Sequence, residues 1–152
     1  MLLEQIFQIP NDIDFVIALS DRVFDRFANV GFTGLTEAEQ TFFCIVSLDG
    51  EVNNGGFDQF FFNSSGDYSL PTLPALQRIH ADYTANLFKQ ALSTFKNGAP
   101  NADREQRWKQ MDEFTDAQNH TLSKLDLEYY EEHDKITDLL CSYARSKKID
   151  FK

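Results

Sequence analysis

Apolar residues recur at three- and four-residue intervals along most of the chain, the repeat that turns one face of an α-helix towards a core. Ile13, Val16, Ile17, Val23, Phe24 and Phe27 mark a first helix, capped by Asn11 or Asp12 and running to about Asn29. Gly31 and Gly34 bracket its exit. Thr36 and Glu39 form a capping box for a second helix through Phe42, Phe43, Ile45, Val46 and Leu48, predicted to stop at Asp49-Gly50. The next stretch is the least ordinary in the chain. Asn53-Asn54-Gly55-Gly56 predicts a sharp corner, Phe57, Phe60 and Phe61 repeat as one face of a short aromatic helix, and Ser64 to Asp67 predicts a second turn. Asn-Gly is also a hairpin signal, but neither Phe42 to Asp49 nor Phe57 to Asn63 alternates apolar with polar as a half-buried strand does.

Further on, Pro71 and Pro74 mark a linker and the first turn of a short helix holding Leu76 and Ile79, and His80-Ala81-Asp82 breaks it. A longer helix is predicted from about Tyr83 to Phe95, with Phe88, Ala91, Leu92 and Phe95 inward, closed by Asn97-Gly98-Ala99-Pro100. Asp103 can cap a helix carrying Trp108, Met111 and Phe114. One last long helix is predicted to begin near Lys124 or Asp126 and to hold Leu127, Tyr130, Ile136, Leu139, Leu140 and Tyr143. No repeat, low-complexity tract or domain boundary interrupts residues 1–152. The pattern predicts an all-α fold, a single-domain helical bundle of six to eight helices.

Composition sharpens this picture in two ways. Fifteen Phe, five Tyr and one Trp make the core aromatic rather than aliphatic. Cys44 and Cys141 lie far apart in apolar contexts, as buried free thiols of a reducing compartment do. Glu4 stands where a signal peptide carries positive charge, and no apolar run approaches a membrane span, so a soluble, cytoplasmic protein is expected.

Charge changes the picture most. The net charge is −10. Residues 1–70 carry 11 acids against only Arg22 and Arg26, whereas residues 71–152 carry 13 acids against 12 bases. Such a chain repels nucleic acid and anionic lipid and attracts basic surfaces. Solubility alone is the plainer explanation of the same excess.

Signatures of chemistry are sparse. Asn54-Gly55-Gly56-Phe57 lacks the lysine and the glycine spacing of a phosphate loop. No Cys pair has zinc spacing, and His80, His120 and His133 fall on separate segments without a Glu-x-x-His pattern. Neither catalytic residues nor a metal or cofactor is expected. His133, among Glu131, Glu132 and Asp134, reads as a surface histidine, and Cys44 as core. The one dense polar set is Glu51, Asn53, Asn54, Gln59 and Asn63 beside Gly55 and Gly56. It can line a small-ligand or enzymatic pocket where backbone approaches a ligand closely, or it can cap helix ends around a tight turn.

The remaining carboxylates form rows. Asp14, Asp21 and Asp25, with Asp12 at their head, fall on one side of the first helix. Glu128, Glu131, Glu132, Asp134 and Asp138 crowd the last, with Lys135 the only base among them. Phosphates along one DNA strand are roughly twice the 3.4 Å base rise apart, a spacing that acids on a rigid helix can imitate.

The corner itself resembles a known family. Glu51-x-Asn53-Asn54-Gly55-Gly56-Phe57-x-Gln59-Phe60-Phe61-x-Asn63-Ser64-Ser65-Gly66-Asp67 is similar to the signature of small bacterial proteins, the DNA-mimic-protein-19-like family, also labelled domain of unknown function 4375. Later landmarks follow in the same order: Ala75-Leu76-x-x-Ile79-x-Ala81, Pro100-x-x-Asp103-Arg104-x-x-Arg107, Leu125-Asp126-x-x-Tyr129-Tyr130 and Asp138-Leu139-x-x-x-Tyr143. His80 departs from the glycine expected at its place. The resemblance implies an all-helical, homodimeric, acidic protein that presents a DNA-like negative surface to a basic DNA-binding protein, such as a transcriptional regulator or nucleoid-type protein. An acidic immunity or anti-toxin protein is the alternative of the same charge class. The motif itself is nearly neutral, so it transfers the fold, while the acidic rows must carry the function.

Overall fold

In the computed structural model, which describes residues 1–152, the chain is all α-helix around one core of buried side chains. The elements are α1 (Leu3–Ile6), α2 (Asp12–Val30), α3 (Glu37–Phe62), α4 (Ser69–Arg78), α5 (Asp82–Leu92), α6 (Arg104–Asp112), α7 (Asp116–Tyr130) and α8 (Ile136–Ser146), joined by short 3₁₀ turns. The predicted helical bundle is the observed one. The central element is α3, packed against α2, α4, α7 and α8, while α5 bridges α4 and α7. Phe15, Phe42, Phe57, Phe60, Phe61 and Phe88 are fully buried, and their rings meet edge-on or stacked, as with Phe60 and Phe88 at 5.6 Å. No helix is long and apolar enough to cross a membrane.

Local signals explain half of the helix starts. The Asn11 side chain accepts from the Asp14 N–H, and Thr36 and Glu39 form the expected capping box. Asp103 accepts from the Gln106 N–H at the head of α6. Tertiary partners explain where the predicted boundaries fail. The second helix does not stop at Asp49-Gly50: it continues through Val52, which is fully buried, to a kink at Gly55 and Gly56. Burial of Val52 outweighs the roughly 1 kcal/mol that a helical glycine costs.

The predicted last long helix is two helices. A second capping box, Thr115 with Gln118, starts α7 at Asp116, and the chain turns at Glu131–Lys135 before α8. Glu132 takes a positive φ of 52° there, and Asp134 turns to accept the Thr84 N–H at 2.7 Å. That bond satisfies an amide in the first turn of α5, which α7 alone could not reach. Leu127 and Tyr130, placed with the apolar residues of that helix, are 66 % and 44 % exposed. The α2 residues Ile13, Ile17 and Phe24, also predicted inward, are solvent-facing.

His80 keeps the glycine-like ending of α4. Its φ is 63°, and the Ala81 and His80 N–H groups donate back to Leu76 and Gln77, the paired bonds of a Schellman motif.

Candidate functional site

The Asn-Gly-Gly corner becomes intelligible as two helix ends facing in opposite directions. Gly56 has φ 79°, so the chain leaves the first half of α3 and restarts as a helix at Phe57. The Phe57 N–H, an orphan at that new start, donates to Asp126 Oδ1 of α7 at 2.8 Å. A Cβ on residue 56 would stand 2.3 Å from that carboxylate, so the close approach and the backbone both demand glycine.

At the other end, the last carbonyls of α3 find side-chain donors. Ser65 Oγ donates to Phe60, Arg107 Nε to Phe61, Trp108 Nε1 to Phe62, and the Arg107 Nη2 group to Asn63. Arg107 is wholly buried and also donates to Asn101, Ala102 and Asp67 Oδ1, the last at 2.7 Å. Its positive charge lies at the negative end of the helix dipole. Gly66 lets the loop pass it: a Cβ there would stand 2.7 Å from Arg107 Nε.

The polar set around the corner satisfies itself. Glu51 Oε2 accepts from Gln59 at 2.7 Å and from Asn63 at 3.0 Å. Asn54 donates to Gln59 Oε1 at 3.1 Å, and Asn53 donates to Asp49 Oδ1, which also accepts the Tyr129 hydroxyl at 2.6 Å. These are the mutual bonds of a turn and its helix ends. Beside them lies an open groove of about 790 Å³. Phe24, Phe27, Phe43, Val46 and Tyr68 line its apolar side, and Glu51, Asn54, Gln59, Asp67 and Arg104 its polar side. Asn53 is not among its lining residues.

The acids of the two predicted rows separate into three groups and one lone residue. On α2, Asp14, Asp21 and Asp25 are exposed, and their carboxylates have no hydrogen-bond or ion-pair partner within the chain. Asp12, half-buried, lies 3.5 Å from Arg145. Asp12 and Asp138 both face Cys141, where their charge adds to burial in raising the thiol to about 12. Glu128, Glu131 and Asp134 gather around the Tyr83 phenol, whose ring lies 4.1 Å from that of His133. Burial leads and these acids follow in raising the Tyr83 pKa. His133 is exposed and pairs with Glu131 at 3.1 Å. Glu132 stands free at the turn.

Not every acid belongs to the surface. Glu39 is fully buried, accepting from the Thr36 and Lys152 N–H groups. Arg26 is in charge contact with it at 2.8 Å, although the Arg26 Nε–H is not aimed at the carboxylate.

Both cysteines are free and buried. Desolvation pushes Cys44 up to about 12, against smaller lowering by Thr72 and Arg78, so neither thiol is a nucleophile near neutral pH. No group of three or more His, Cys, Asp or Glu side chains is placed to hold a metal ion.

Sequence reasoning missed the roles of Asp126, Arg107 and Trp108. Arg107 and Asp126 stood inside recognised stretches, but their partners lie 46 and 69 residues away. Comparison with the curated proteins and with the solved structures finds no match. The family model described as DMP19-like protein matches residues 33–147, which span the corner, its Asp126 and Arg107 clamps and all of α8. By that match over most of its length, the chain belongs to the DMP19-like protein family.

Proposed function

We propose that the chain is a binding protein without chemistry of its own, a DNA mimic that occupies the DNA-binding surface of a basic transcriptional regulator or nucleoid-type protein. The observation that carries this reading is the row of Asp14, Asp21 and Asp25, three exposed carboxylates on one face of α2 with no partner inside the fold. Along the axis they are about 10 Å and about 6 Å apart, at 1.5 Å per residue. Successive phosphates of a DNA strand are roughly 7 Å apart, so a basic groove meets comparable charge at comparable intervals. Asp138 adds an exposed carboxylate on α8, while Asp12 at the head of α2 is shared with Arg145. Family membership supports the reading independently of charge.

Such a surface binds by screened Coulomb attraction, effective within about 8–10 Å at moderate salt. Affinity-capture on immobilised wild-type chain and on the Asp14→Asn/Asp21→Asn/Asp25→Asn variant tests it. Basic DNA-binding proteins should be enriched on the wild type, released by added duplex DNA or by salt, and depleted on the variant. Captured proteins with no such excess would contradict the reading.

A further inference from the structure

The outward side of α2 carries two stripes, only one of them acidic. At about 100° per residue, Ile13, Ile17 and Phe24 fall within about 40° of one another, and the Asp14, Asp21, Asp25 row lies roughly 80° further round. Ile13 is 64 % exposed, Ile17 57 % and Phe24 37 %. Scattered apolar residues need no account, but three in register over about three turns make a continuous face.

That face does not end at the helix. Phe24 forms one edge of the 790 Å³ groove, its ring 4.8 Å from that of Phe43 on α3. Val46 and Gly50 carry the floor on into a second hollow of about 180 Å³, which reaches Val16 and Ile136. An apolar channel therefore runs between α2 and α3. Asp49 and Glu51 line the hollows on the α3 side, and Asp14 and Asp21 flank the apolar stripe about 80° further round α2. The only base lining either hollow is Arg104, which shares Asp67 with buried Arg107.

We infer that this channel docks an amphipathic helix of a partner protein, laid apolar side down and flanked by Lys and Arg. A helix presents anchors at i, i+3 or i+4 and i+7, the repeat that a three-turn apolar channel accepts, and its flanking bases meet the acidic rims. The inference shares Asp14 and Asp21 with DNA mimicry and adds the apolar face, since mimicry places no demand on Ile17 or Phe24.

The test is fluorescence anisotropy on the full chain with a fluorescein-labelled 14-residue Leu/Lys peptide whose leucines follow helical spacing. A scramble of the same composition is the control. The patterned peptide should bind at least tenfold tighter than the scramble. Ile17→Ser and Phe24→Ser should each weaken the patterned peptide at least fivefold and leave the scramble unchanged, with far-UV circular dichroism confirming the fold. Ile17 is exposed enough to be replaced without disturbing the core, which keeps the test decisive if Phe24→Ser unfolds. Equal binding of the two peptides, or indifference to Ile17→Ser, overturns the inference. So does a wild-type dimer that light scattering finds dissociated by Ile17→Ser, because a second copy then covers the channel. In either case capture by the Asp14, Asp21, Asp25 row remains a separate result.

Discussion

Two regions of this molecule hold carboxylates in dense array and treat them oppositely. Around the aromatic second half of α3, Asp49, Glu51, Asp67 and Asp126 each accept hydrogen bonds from named partners, and Asp126 alone starts a helix. On α2, Asp14, Asp21 and Asp25 accept none from side chains and face water. Inward carboxylates stand in for missing turns of helix, so removing one leaves an orphan N–H or an uncompensated cation. Outward carboxylates repel one another by a few tenths of a kcal/mol per close pair, so removing them should leave the fold as stable or slightly more so. Density of charge thus says little by itself. Whether its oxygens are already taken separates an acid that the fold depends on from one that it does not need.

The contrast is broken most severely at Arg107. Replacing it with Ala strips donors from Phe61, Asn63, Asn101 and Ala102 and leaves Asp67 with only Arg104. A loss of about 3–5 kcal/mol is expected by urea denaturation, the usual cost of breaking a buried ionic network. Arg107→Lys should recover little of it, since an ammonium cannot reach these dispersed acceptors together. Gly56→Ala comes next, at about 2 kcal/mol by the same measurement, from a left-handed backbone and a Cβ driven into Asp126.

Asp126 gives a signed test by pH. Burial lifts its carboxyl above the ordinary 3.8, with the Phe57 N–H opposing and Asp58 adding a smaller push upward. A native pKa above the unfolded one means that the folded state holds the proton more tightly. Its contribution is therefore fully present below the unfolded pKa and is lost as pH rises through the native one. Wild type should gain stability relative to Asp126→Asn as pH falls from neutral towards 4. A relative loss over that range would mean that the carboxylate is favoured by its surroundings.

Smaller still is His80→Gly, which relieves an L side chain at φ 63° in the Schellman ending of α4. Thermal denaturation should show a gain of about 0.5–1 kcal/mol, the left-handed cost less the added freedom of the unfolded chain. The least effect on folding is expected from the Asp14→Asn/Asp21→Asn/Asp25→Asn variant, within about 0.5 kcal/mol of wild type.

What the sequence made legible follows the same division. The fold class, the Thr36–Glu39 capping box and the span of α2 rest on neighbours within a few residues, so periodicity and capping chemistry found them. The local signal at Asp49-Gly50 predicts a stop, which the burial of Val52 overrules. The turn at Glu131–Lys135 depends on Asp134 meeting Thr84 across 50 residues, and nothing nearby announces it. The polar corner was legible as a choice between ligand pocket and helix ends. Its hydrogen bonds fit the second, and the groove beside it is floored by aromatic residues that the corner did not foretell. The acidic rows were visible as composition. Their partition into Asp12 and Asp138 at Cys141, three acids at Tyr83, and an unpartnered row on α2 required the packed helices.

The central claim is that the unpartnered row binds while the corner builds. Its most direct measurement is the affinity of a purified DNA-binding protein captured on the wild-type chain, titrated against wild type and against Asp14→Asn/Asp21→Asn/Asp25→Asn at two salt concentrations. The account predicts at least tenfold weaker binding to the variant at low salt, with a shallower dependence on salt and unchanged unfolding. Equal affinity and equal salt dependence for a variant that folds normally would contradict it.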